Sequence, residues 1–464
     1  MSGTESFDAI IVGTGQGGKP LAVALVAAGR RTAIIESDRV GGTCIVRGCT
    51  PTKTMVASAR VAYLARRAAD YGITTGEVRV DLETIRARKR TIVDDWSEGS
   101  RQGLERHDLM DLVMGTARFS GPGEITVELN GGGTRTLAAE QIFLNVGARS
   151  AVPSLPGLDG IDFLDSTSVM ELGRVPDHLV ILGGGFIGLE FGQMFRRFGA
   201  EVTILERSPR LAMREDEDVA EAIHQLFEED GIRVLTNTSA TSVEPRDGGG
   251  VRLHAERNGQ PLTIDGDELL VAVGRVSNAD TLDLDRIELA TDERGWIPVN
   301  DRCETAVEGV WAFGDVSGAP PFTHIAYDDY RIIRHNLLGD GGASRAGRIV
   351  PYTVFIDPQL GRVGLTEREA REQGYDVLVA KLPMTSVARA IETSETRGLM
   401  KAVVDARTDR ILGAAVLGIE GGEVATVLQV AMMGDLPWTA LRDAAISHPT
   451  LSESLNNLFM TLDT

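Results

Sequence analysis

Short apolar runs, glycine-rich turns and amphipathic stretches alternate along the first forty residues. Residues 7–12 form a β-branched apolar run, too short for a helix and bounded by glycine, which predicts a buried strand. A glycine-rich segment and a helix-like stretch at residues 20–28 follow, and a second apolar run at residues 32–35 ends in Glu36. The order strand, turn, helix, strand is typical of a parallel sheet.

The turn of this unit has the GxGxxG spacing, with glycine at Gly13, Gly15 and Gly18, and Glu36 stands 23 positions after Gly13. The glycines by themselves are a weak signal. Together with the strand, the helix and the trailing carboxylate, they form a dinucleotide-binding fingerprint, in which backbone approaches the pyrophosphate and the acid accepts from a ribose hydroxyl.

The same arrangement occurs a second time. A strand at residues 178–182 precedes Gly183, Gly185 and Gly188, a helix at residues 189–198 follows, and residues 202–205 lead to Glu206, again 23 positions after the first glycine. Two copies at equal spacing predict two nucleotide sites and an internal duplication.

The remaining patterns divide the chain. Glycine turns at residues 121–123 and 131–133 predict hairpins. The apolar run at residues 141–147 predicts a buried strand, and the segment 153–157 predicts a linker. A strand ending in Gly274-Arg275 and the run 310–315 predict a return to the first domain, and the alternating segments 353–356 and 398–404 precede a helix at residues 422–433. We expect an α/β protein with two Rossmann-like dinucleotide-binding domains and a separate α+β C-terminal domain. The predicted segments are 1–152 with 274–347 for the first domain, 153–273 for the second and 348–464 for the third.

Composition narrows the class of partner. The 464 residues exceed what one core usually supports, and the formal charge of −20 disfavours polyanionic partners such as nucleic acid or an anionic membrane. Residues 1–7 lack the pattern of a secretory signal, no apolar stretch is long enough to span a bilayer, and three cysteines are too few for a disulfide framework. We expect a cytoplasmic protein acting on a small molecule.

Two of the three cysteines, Cys44 and Cys49, lie five positions apart. Five residues of regular helix rise roughly 7.5 Å, whereas bridged cysteines need Cα atoms about 4.4–6.8 Å apart, so a disulfide here requires an irregular turn. Gly48 supplies backbone freedom, and Pro51 suits the start of a helix at residues 52–67, whose N-terminal end lowers thiol pKa. The pair could instead be two core thiols or half of a metal site, although no further zinc ligands stand at matching spacing.

The segment CIVRGCTPTK (44–53) resembles the CxxxxC-x-P-x-K motif of the class I pyridine nucleotide-disulfide oxidoreductases, a family that includes glutathione reductase, dihydrolipoyl dehydrogenase and mercuric reductase. The similarity extends through GTGQGG, GGGFIGLEFG, VWAFGDV and HPTLSE, over essentially the whole chain. HPTLSE is shared with dihydrolipoyl dehydrogenases, whereas Gln16, Lys19-Pro20 and residues 327–331 look more like the mercuric-reductase-like branch of the family. The resemblance implies a homodimeric flavoenzyme with Rossmann-like domains for FAD (1–152 and 274–347) and NAD(P) (153–273) and an α+β C-terminal dimerisation domain (348–464).

The resemblance implies catalytic roles for six residues. Cys49 would lie against the flavin as the charge-transfer thiolate, and Cys44 would exchange with the substrate. Lys53 would pair with Glu190 near the flavin and nicotinamide, the alternative being a surface salt bridge of little energetic weight. His448 would be the general acid/base, oriented by Glu453, acting in the site of the other subunit.

The resemblance also implies a set of cofactor contacts. Phe186 is either an aromatic gate over the nicotinamide pocket or a packing residue of its turn, and Asp315 would contact the ribitol of FAD. Glu206 favours NAD(H) over NADP(H), although Arg207, Arg210 and Arg214 could offset its repulsion of a 2′-phosphate. The cofactor-binding residues are Gly13, Gly15, Gly18, Glu36, Gly42, Thr43, Lys53, Gly147, Asp315, Gly183, Gly185, Phe186, Gly188, Glu206, Gly274 and Arg275.

The acceptor is less determined. Val23 stands where glutathione reductase carries a substrate-binding arginine, and the chain ends without the cysteine pair of mercuric reductases. We expect a small thiol-reactive oxidant or low-molecular-weight disulfide, with lipoamide, as in dihydrolipoyl dehydrogenase, second and mercuric ion third. Cys303 is expected in a strand-like region as a structural residue. A flavin-binding redox-sensing scaffold is a further alternative, but it would need none of the six catalytic residues.

Overall fold

A computed structural model describes residues 3–463; Met1, Ser2 and Thr464, at the ends of the first and last predicted segments, lie outside the described residues. The strands are β1 Glu5–Ser6, β2 Ala9–Val12, β3 Thr32–Glu36, β4 Met110–Gly121, β5 Glu124–Leu129, β6 Thr134–Ala138, β7 Gln141–Leu144, β8 Ala148–Ser150, β9 His178–Leu182, β10 Glu201–Leu205, β11 Arg233–Leu235, β12 Thr238–Pro245, β13 Val251–Arg257, β14 Gln260–Gly266, β15 Glu268–Val271, β16 Arg275–Ser277, β17 Val310–Ala312, β18 Tyr352–Val354, β19 Gln359–Gly364, β20 Val377–Pro383, β21 Leu399–Asp405 and β22 Ile411–Gly418.

The α-helices are α1 Gly18–Ala27, α2 Gly42–Val46, α3 Cys49–Arg66, α4 Leu82–Glu105, α5 Phe186–Phe198, α6 Glu217–Glu229, α7 Thr323–Leu338, α8 Glu367–Glu372, α9 Ala388–Glu392, α10 Gly421–Met433, α11 Trp438–Arg442 and α12 Ser454–Met460. Contacts group the chain into two compact units. The first comprises residues 1–54, 84–151 and 275–348, and the second residues 55–83, 152–274 and 349–464.

The first unit is built on one eight-stranded sheet in the order β1-β6-β5-β4-β3-β2-β7-β17. Its centre is parallel, from β4 through β3, β2 and β7 to β17, and β4, β5 and β6 form an antiparallel extension. Both faces of the parallel strands are buried: Ile10 packs in one apolar cluster and Ile11 in another, with Leu21 of α1 and Ile333 of α7. Burial on both faces explains why these strands read as continuous apolar runs.

The second unit contains three sheets. A parallel sheet has the order β11-β10-β9-β15, an antiparallel sheet the order β12-β13-β14, and a five-stranded antiparallel sheet the order β18-β19-β22-β21-β20. Helices α10 and α12 contribute Val424, Leu428 and Leu455 to the core of the five-stranded sheet. The predicted fold class, parallel α/β sheets with an α+β C-terminal part, is confirmed.

The two glycine turns repeat each other closely. Gly13 and Gly183 have φ of +106° and +110°, and a Cβ on either would lie 2.4 Å from a carbonyl oxygen just beyond the neighbouring parallel strand, that of Asn145 or Ala272. A Cβ on Gly188 would lie 2.0 Å from the Gly183 oxygen. The duplication inferred from the spacing is therefore present in the backbone packing of both parallel sheets.

Several predicted boundaries shift. The strand predicted at residues 7–12 is β2 and begins at Ala9, and the Asp8 carboxylate just before it accepts the Arg31 amide at 2.7 Å. Helices α1 and α5 begin earlier than predicted, at Gly18 and Phe186. The strand predicted to end in Gly274-Arg275 ends at Val271, because Gly274, at φ +134°, turns the chain before Arg275 opens β16.

A cluster of buried charges lies in the second unit around Tyr63 of α3. The guanidinium of Arg197 lies 3.9 Å from the centre of the Tyr63 ring and pairs with Asp357, which also pairs with Arg60 at 2.6 Å. Glu395, nearly fully buried, pairs with Arg60 at 2.8 Å. The cluster ties α3 and α5 to the loop before β19, so its carboxylates have a structural role in this unit.

Within residues 3–463, no helix is long and apolar enough to cross a membrane.

Candidate active site

The two cysteines of the pair lie in successive elements of the first unit. Cys44 is in the middle of α2, and Cys49 is the first residue of α3, three residues earlier than the helix predicted from Pro51. The break at Arg47 and Gly48 is the irregular turn that the spacing required. It brings the two thiols together in a hydrogen bond, with Cys44 half-buried and Cys49 exposed.

Gly48 serves this turn differently from the prediction. Its φ lies outside the left-handed region, so left-handed backbone freedom is not what the position uses. A Cβ at Gly48 would instead lie 3.0 Å from the Thr43 oxygen and 3.2 Å from the Thr43 methyl group. Glycine is needed because α2 and α3 approach each other closely at this point.

The surroundings of the pair act on thiol acidity in opposite directions. The hydrogen bond to Cys49, followed by burial and the charge of Cys49, holds the pKa of the Cys44 thiol far above its usual value. The Thr323 hydroxyl and the Lys19 ammonium lower this pKa. Thr323, at the start of α7, also has its Oγ1 3.2 Å from the Cys49 Sγ. The site thus contains one hydroxyl and one cation that favour thiolate.

Thr323 and Lys19 were missed by sequence reasoning. Thr323 is 274 positions from Cys49, and no local pattern marks it. Lys19 directly follows the glycine turn, so its proximity to Cys44 depends on how α2 packs against that turn. Asn145 was also missed as a residue of this region, although a polar residue between an apolar strand and Gly147 was a usable signal.

Asn145 joins three parts of the first unit. Its Oδ1 accepts the Gly18 amide at 3.0 Å, and its Nδ2 donates to the Phe313 oxygen at 2.9 Å. Its own amide donates to the Val12 oxygen at 2.8 Å. The glycine turn after β2 and the segment after β17 are therefore held in one arrangement by a buried amide side chain.

Asp315 and Arg275, both predicted cofactor residues, lie together in the first unit. The Arg275 Nε is 3.9 Å from the Asp315 Oδ2, and burial raises the Asp315 pKa while Arg275 opposes the rise. Among the described residues, the buried Nε of Arg275 has no hydrogen-bond partner. A half-buried carboxyl next to an unsatisfied buried donor suits a polar ligand that supplies the missing hydrogen bonds.

The two acidic residues of the fingerprints occupy matching positions. Glu36 accepts from the Thr14 amide at 3.2 Å and from the Asp38 amide at 3.0 Å. Glu206 accepts from the Gly184 amide at 2.8 Å and from the Ser208 amide at 2.7 Å. In each unit the carboxylate stands at the edge of the glycine turn, as a ribose ligand must.

The remaining predicted glycines fall into packed and open positions. A Cβ on Gly15 would lie 2.8 Å from Asn145 Oδ1, and one on Gly42 2.6 Å from the Gly15 Cα. A Cβ added at Gly147, Gly185 or Gly274 would meet no atom of the described residues within 4 Å, so each of these glycines lies next to open space. Helix α1 follows the first turn directly and presents its N-terminal amides there, which favours a phosphate. These features fit a dinucleotide at each turn.

Two predicted residues of the second unit have defined contacts. Phe186 opens α5, and its ring lies 5.3 Å from that of Tyr352, whose hydroxyl bonds to the buried Glu215. Glu190 is buried one turn later, and its Oε1 accepts the Phe355 amide at 2.8 Å. Lys53 belongs to the first unit and Glu190 to the second, and their pairing stays a prediction.

His448 and Glu453 are adjacent in the second unit. The Nδ1 of His448 lies 2.9 Å from the Glu453 Oε2 and 3.0 Å from Oε1, and the imidazole is largely exposed. A carboxylate on Nδ1 favours the proton on that nitrogen and leaves Nε2 as the basic atom. The pair has the geometry of an oriented acid/base group.

Cys303 does not lie in a strand, which corrects the prediction. It is fully buried in a turn at φ +65°, and its amide donates to the Asn300 oxygen at 3.0 Å. Burial, with a smaller contribution from Asp329, raises the pKa of its thiol to about 12. Such a thiol stays protonated and is a poor nucleophile.

Comparison with known proteins identifies the architecture. Residues 7–329 match the family described as pyridine nucleotide-disulphide oxidoreductase, and residues 350–459 match its dimerisation domain. The chain is 38% identical over 98% of both lengths to the probable pyridine nucleotide-disulfide oxidoreductase RclA of Escherichia coli. It is 35% identical to a dihydrolipoyl dehydrogenase of Thermus scotoductus, covering 97% of this chain and 96% of that one.

Mercuric reductases are also similar: that of Bacillus cereus is 34% identical over 99% of this chain and 72% of its own. Among solved structures, the Cu(II) complex of the HOCl-induced flavoprotein disulfide reductase RclA from Escherichia coli superposes with a TM-score of 0.91 at 37% identity, covering 99% of this chain and 100% of that one. The resemblance drawn from the cysteine motif is confirmed. The chain belongs to the pyridine nucleotide-disulphide oxidoreductase family and is an FAD-dependent disulfide oxidoreductase.

Proposed function

We propose that this enzyme uses NADH to reduce a small thiol-reactive oxidant or low-molecular-weight disulfide in the cytoplasm. The observation that carries the proposal is the Cys44–Cys49 pair, whose thiols share a hydrogen bond next to the Thr323 hydroxyl and the Lys19 cation. Bound FAD supplies two-electron transfer between the nicotinamide and Cys49.

The two cysteines would have different roles. Two electrons break the Cys44–Cys49 bond, after which the Cys44 sulfur attacks a disulfide acceptor, forming a mixed disulfide and releasing the first thiolate. Cys49 then attacks Cys44, releases the second thiolate and restores the original bond. His448 of the partner subunit, oriented by Glu453, would supply protons to the departing thiolates through Nε2.

The cofactor contacts follow the two glycine turns. We assign Gly13, Gly15, Gly18, Glu36, Gly42, Thr43, Lys53, Gly147 and Asp315 to FAD, and Gly183, Gly185, Phe186, Gly188 and Glu206 to the nicotinamide nucleotide, with Gly274 and Arg275 adjoining. The segments 1–152 and 274–347, 153–273, and 348–464 would be the FAD-binding, nicotinamide-binding and dimerisation domains. Lys53 and Glu190 would form an ion pair near the reacting rings.

NADH is proposed over NADPH on the contacts of Glu206. Both carboxylate oxygens already accept backbone amides, at 2.8 and 2.7 Å, which holds the negative charge where a 2′-phosphate would lie. Arg210, one of the nearby cations, is engaged with Glu217 at 2.6 Å, which reduces its capacity to offset that charge. Steady-state kinetics test this: kcat/KM should favour NADH, and a higher value with NADPH would contradict the assignment.

The acceptor is tested with a panel. The similarity to a disulfide reductase described as HOCl-induced, and solved as a Cu(II) complex, favours oxidant-related acceptors. Purified enzyme and NADH would be compared on hypothiocyanite, glutathione disulfide, lipoamide, and mercuric and cupric ions. We expect the highest kcat/KM on a small oxidant or disulfide. Lipoamide is the second candidate, favoured by the 35% identity to a dihydrolipoyl dehydrogenase, and efficient turnover of lipoamide alone would replace the first.

A further inference from the structure

Lys19 is a half-buried cation in the first turn of α1. Its Nζ donates to the Ser100 hydroxyl of α4 at 2.9 Å. Within residues 3–463, no carboxylate lies within 4.0 Å of this ammonium, whereas the buried Lys401 pairs with Asp216 and Glu367 at 3.2 and 2.9 Å. A partly dehydrated ammonium without an anion is costly, so the missing counter-ion needs an explanation.

The surrounding elements fix where this ammonium stands. The Gly41 amide donates to the Thr14 hydroxyl at 3.0 Å, and a Cβ on Gly42 would lie 2.6 Å from the Gly15 Cα, so α2 begins in direct contact with the turn that precedes Lys19. From α4, Ser97 donates to the Val40 oxygen at 2.7 Å. The helices that carry Lys19, Ser100 and Cys44 are thus locked together.

Cys44 is the acidic group that interacts electrostatically with this cation. Burial lowers the Lys19 pKa, and Cys44 is what opposes that fall. In the other direction, Lys19 is the cation that lowers the pKa of Cys44, against the hydrogen bond to Cys49 and burial, which raise it. The other opposing group, the Thr323 hydroxyl, carries no charge.

We propose that Lys19 is a positioning residue whose ammonium is the counter-ion of the Cys44 thiolate in the reduced enzyme. The proposal rests on the exchange role given to Cys44 in the proposed function. It explains the lack of a carboxylate partner among residues 3–463, because the anion of this cation forms only when the Cys44–Cys49 bond is reduced. A thiolate held next to an ammonium is populated at lower pH and attacks the acceptor there.

The test measures Cys44 acidity without nicotinamide or acceptor. Holoenzyme reduced with dithionite is pulsed with iodoacetamide from pH 5.5 to 10, and modification of the Cys44 peptide is quantified by mass spectrometry. The Cys44 thiolate forms an S–C bond as the C–I bond breaks and iodide leaves. Lys19→Met should move the midpoint of the rate profile up by about one unit, which slows alkylation about tenfold well below the midpoint and leaves the high-pH plateau unchanged.

Matched variants make the outcome specific. Lys19→Arg should keep the wild-type midpoint, Ser100→Ala should shift it upward less than Lys19→Met, and Lys381→Met, which removes an exposed charge from β20, should not move it. Each is repeated with His448→Ala, which removes titration by the histidine proposed to face the pair. If Lys19→Met fails to bind flavin, Ser100→Ala carries the test.

An unchanged midpoint in Lys19→Met, an equal shift in Lys381→Met, or a lowered plateau at constant midpoint would each overturn the proposal. None of these results bears on the acceptor, which depends on the steady-state panel. Conversely, full acceptor turnover by Cys44→Ser would refute the proposed exchange role while leaving the alkylation profile intact.

Discussion

At the scale of single residues, the chemistry depends on how unequal two neighbouring thiols are. Cys44 is half-buried and its pKa is lowered by the Lys19 cation, whereas Cys49 is exposed at the start of an 18-residue helix. The Thr323 hydroxyl interacts with both thiols. A helix N-terminus favours negative charge, so Cys49 has its own stabilisation as thiolate. The third cysteine, Cys303, is buried, and its pKa is raised to about 12.

The inequality predicts opposite results for two serine variants. In reduced enzyme, Cys49→Ser should lose the long-wavelength absorbance expected of a thiolate next to the flavin, because the thiolate itself is gone. Cys44→Ser should show that absorbance permanently and lose turnover with disulfide acceptors by about a thousandfold or more. Absorbance spectra and steady-state rates measure both.

Cys303→Ser is the control and should leave spectrum and turnover unchanged. Full turnover by Cys44→Ser would show that the exchange role belongs elsewhere.

At the scale of elements, the two strand–turn–helix units place the same demands on their glycines. A Cβ on Gly188 would lie 2.0 Å from the Gly183 oxygen, which forces α5 away from β9, whereas a Cβ on Gly185 meets no atom of the described residues within 4 Å. Gly185 also has an ordinary backbone, at φ −83°. One glycine is therefore required by packing, and the other adjoins the proposed nucleotide.

Alanine at these two positions should separate stability from binding. Gly188→Ala should lower the free energy of unfolding by about 1–3 kcal/mol, since overpacking a tight contact displaces backbone. Gly185→Ala should keep wild-type stability and raise KM for NADH. Urea unfolding and initial rates measure the two effects, and a stable Gly188→Ala with a wild-type KM would disprove the packing argument.

The buried charges around Tyr63 make the second unit sensitive to acid. Burial raises the Asp357 pKa, but Arg197 and Arg60 lower it further, so its folded pKa lies below the usual value. A carboxyl of this kind adds stability above its unfolded pKa of about 3.9, and that stability is lost as pH falls through the folded pKa.

Asp357→Asn should therefore cost about 3 kcal/mol of unfolding free energy at pH 7, because it removes the carboxylate paired with Arg197 and one of the two carboxylates paired with Arg60. The difference from wild type should shrink as pH falls below about 4. Urea unfolding across pH measures it. Glu77→Gln, which breaks an exposed pair with Arg79, should change stability by less than about 0.5 kcal/mol. A pH-independent difference would assign the effect of Asp357→Asn to packing.

At the scale of the whole molecule, the oriented histidine and the cysteine pair belong to different compact units. His448 and Glu453 lie in the second unit and Cys44 and Cys49 in the first, and residues 350–459 match a family dimerisation domain. A two-fold dimer in which each chain supplies His448 to the other's cysteines would complete two shared sites.

Shared sites predict complementation between inactive chains. Cys44→Ser and His448→Ala homodimers should each lose activity, and subunit exchange between them should restore part of it, because each mixed dimer has one site with an intact cysteine pair and an intact histidine. Mass spectrometry would verify the exchange. No recovery in verified heterodimers would place each site within a single chain.

The sequence alone determined the local features of this protein. Strands buried on both faces appear as apolar runs, tight turns require glycine, and a paired CxxxxC motif needs a break in its helix, so fold class, duplication and redox pair could all be predicted from neighbouring residues. Contacts over long separations could not. Thr323 reaches Cys49 across 274 positions, and Ser100 reaches Lys19 across 81.

Only tertiary packing decided what surrounds the redox pair. Gly48 was predicted to supply backbone freedom but is required by the approach of α2 to α3 at Thr43, and Cys303 was predicted in a strand but lies in a left-handed turn. Nothing in the neighbouring sequence placed Lys19 close to Cys44. That proximity arises only because the start of α2 packs against the glycine turn that precedes Lys19. The pKa of a side chain depends on which charges lie near it in space. In a fold built from parallel strands joined by long connections, those neighbours come from distant parts of the sequence, so the spacing of residues along the chain does not reveal them.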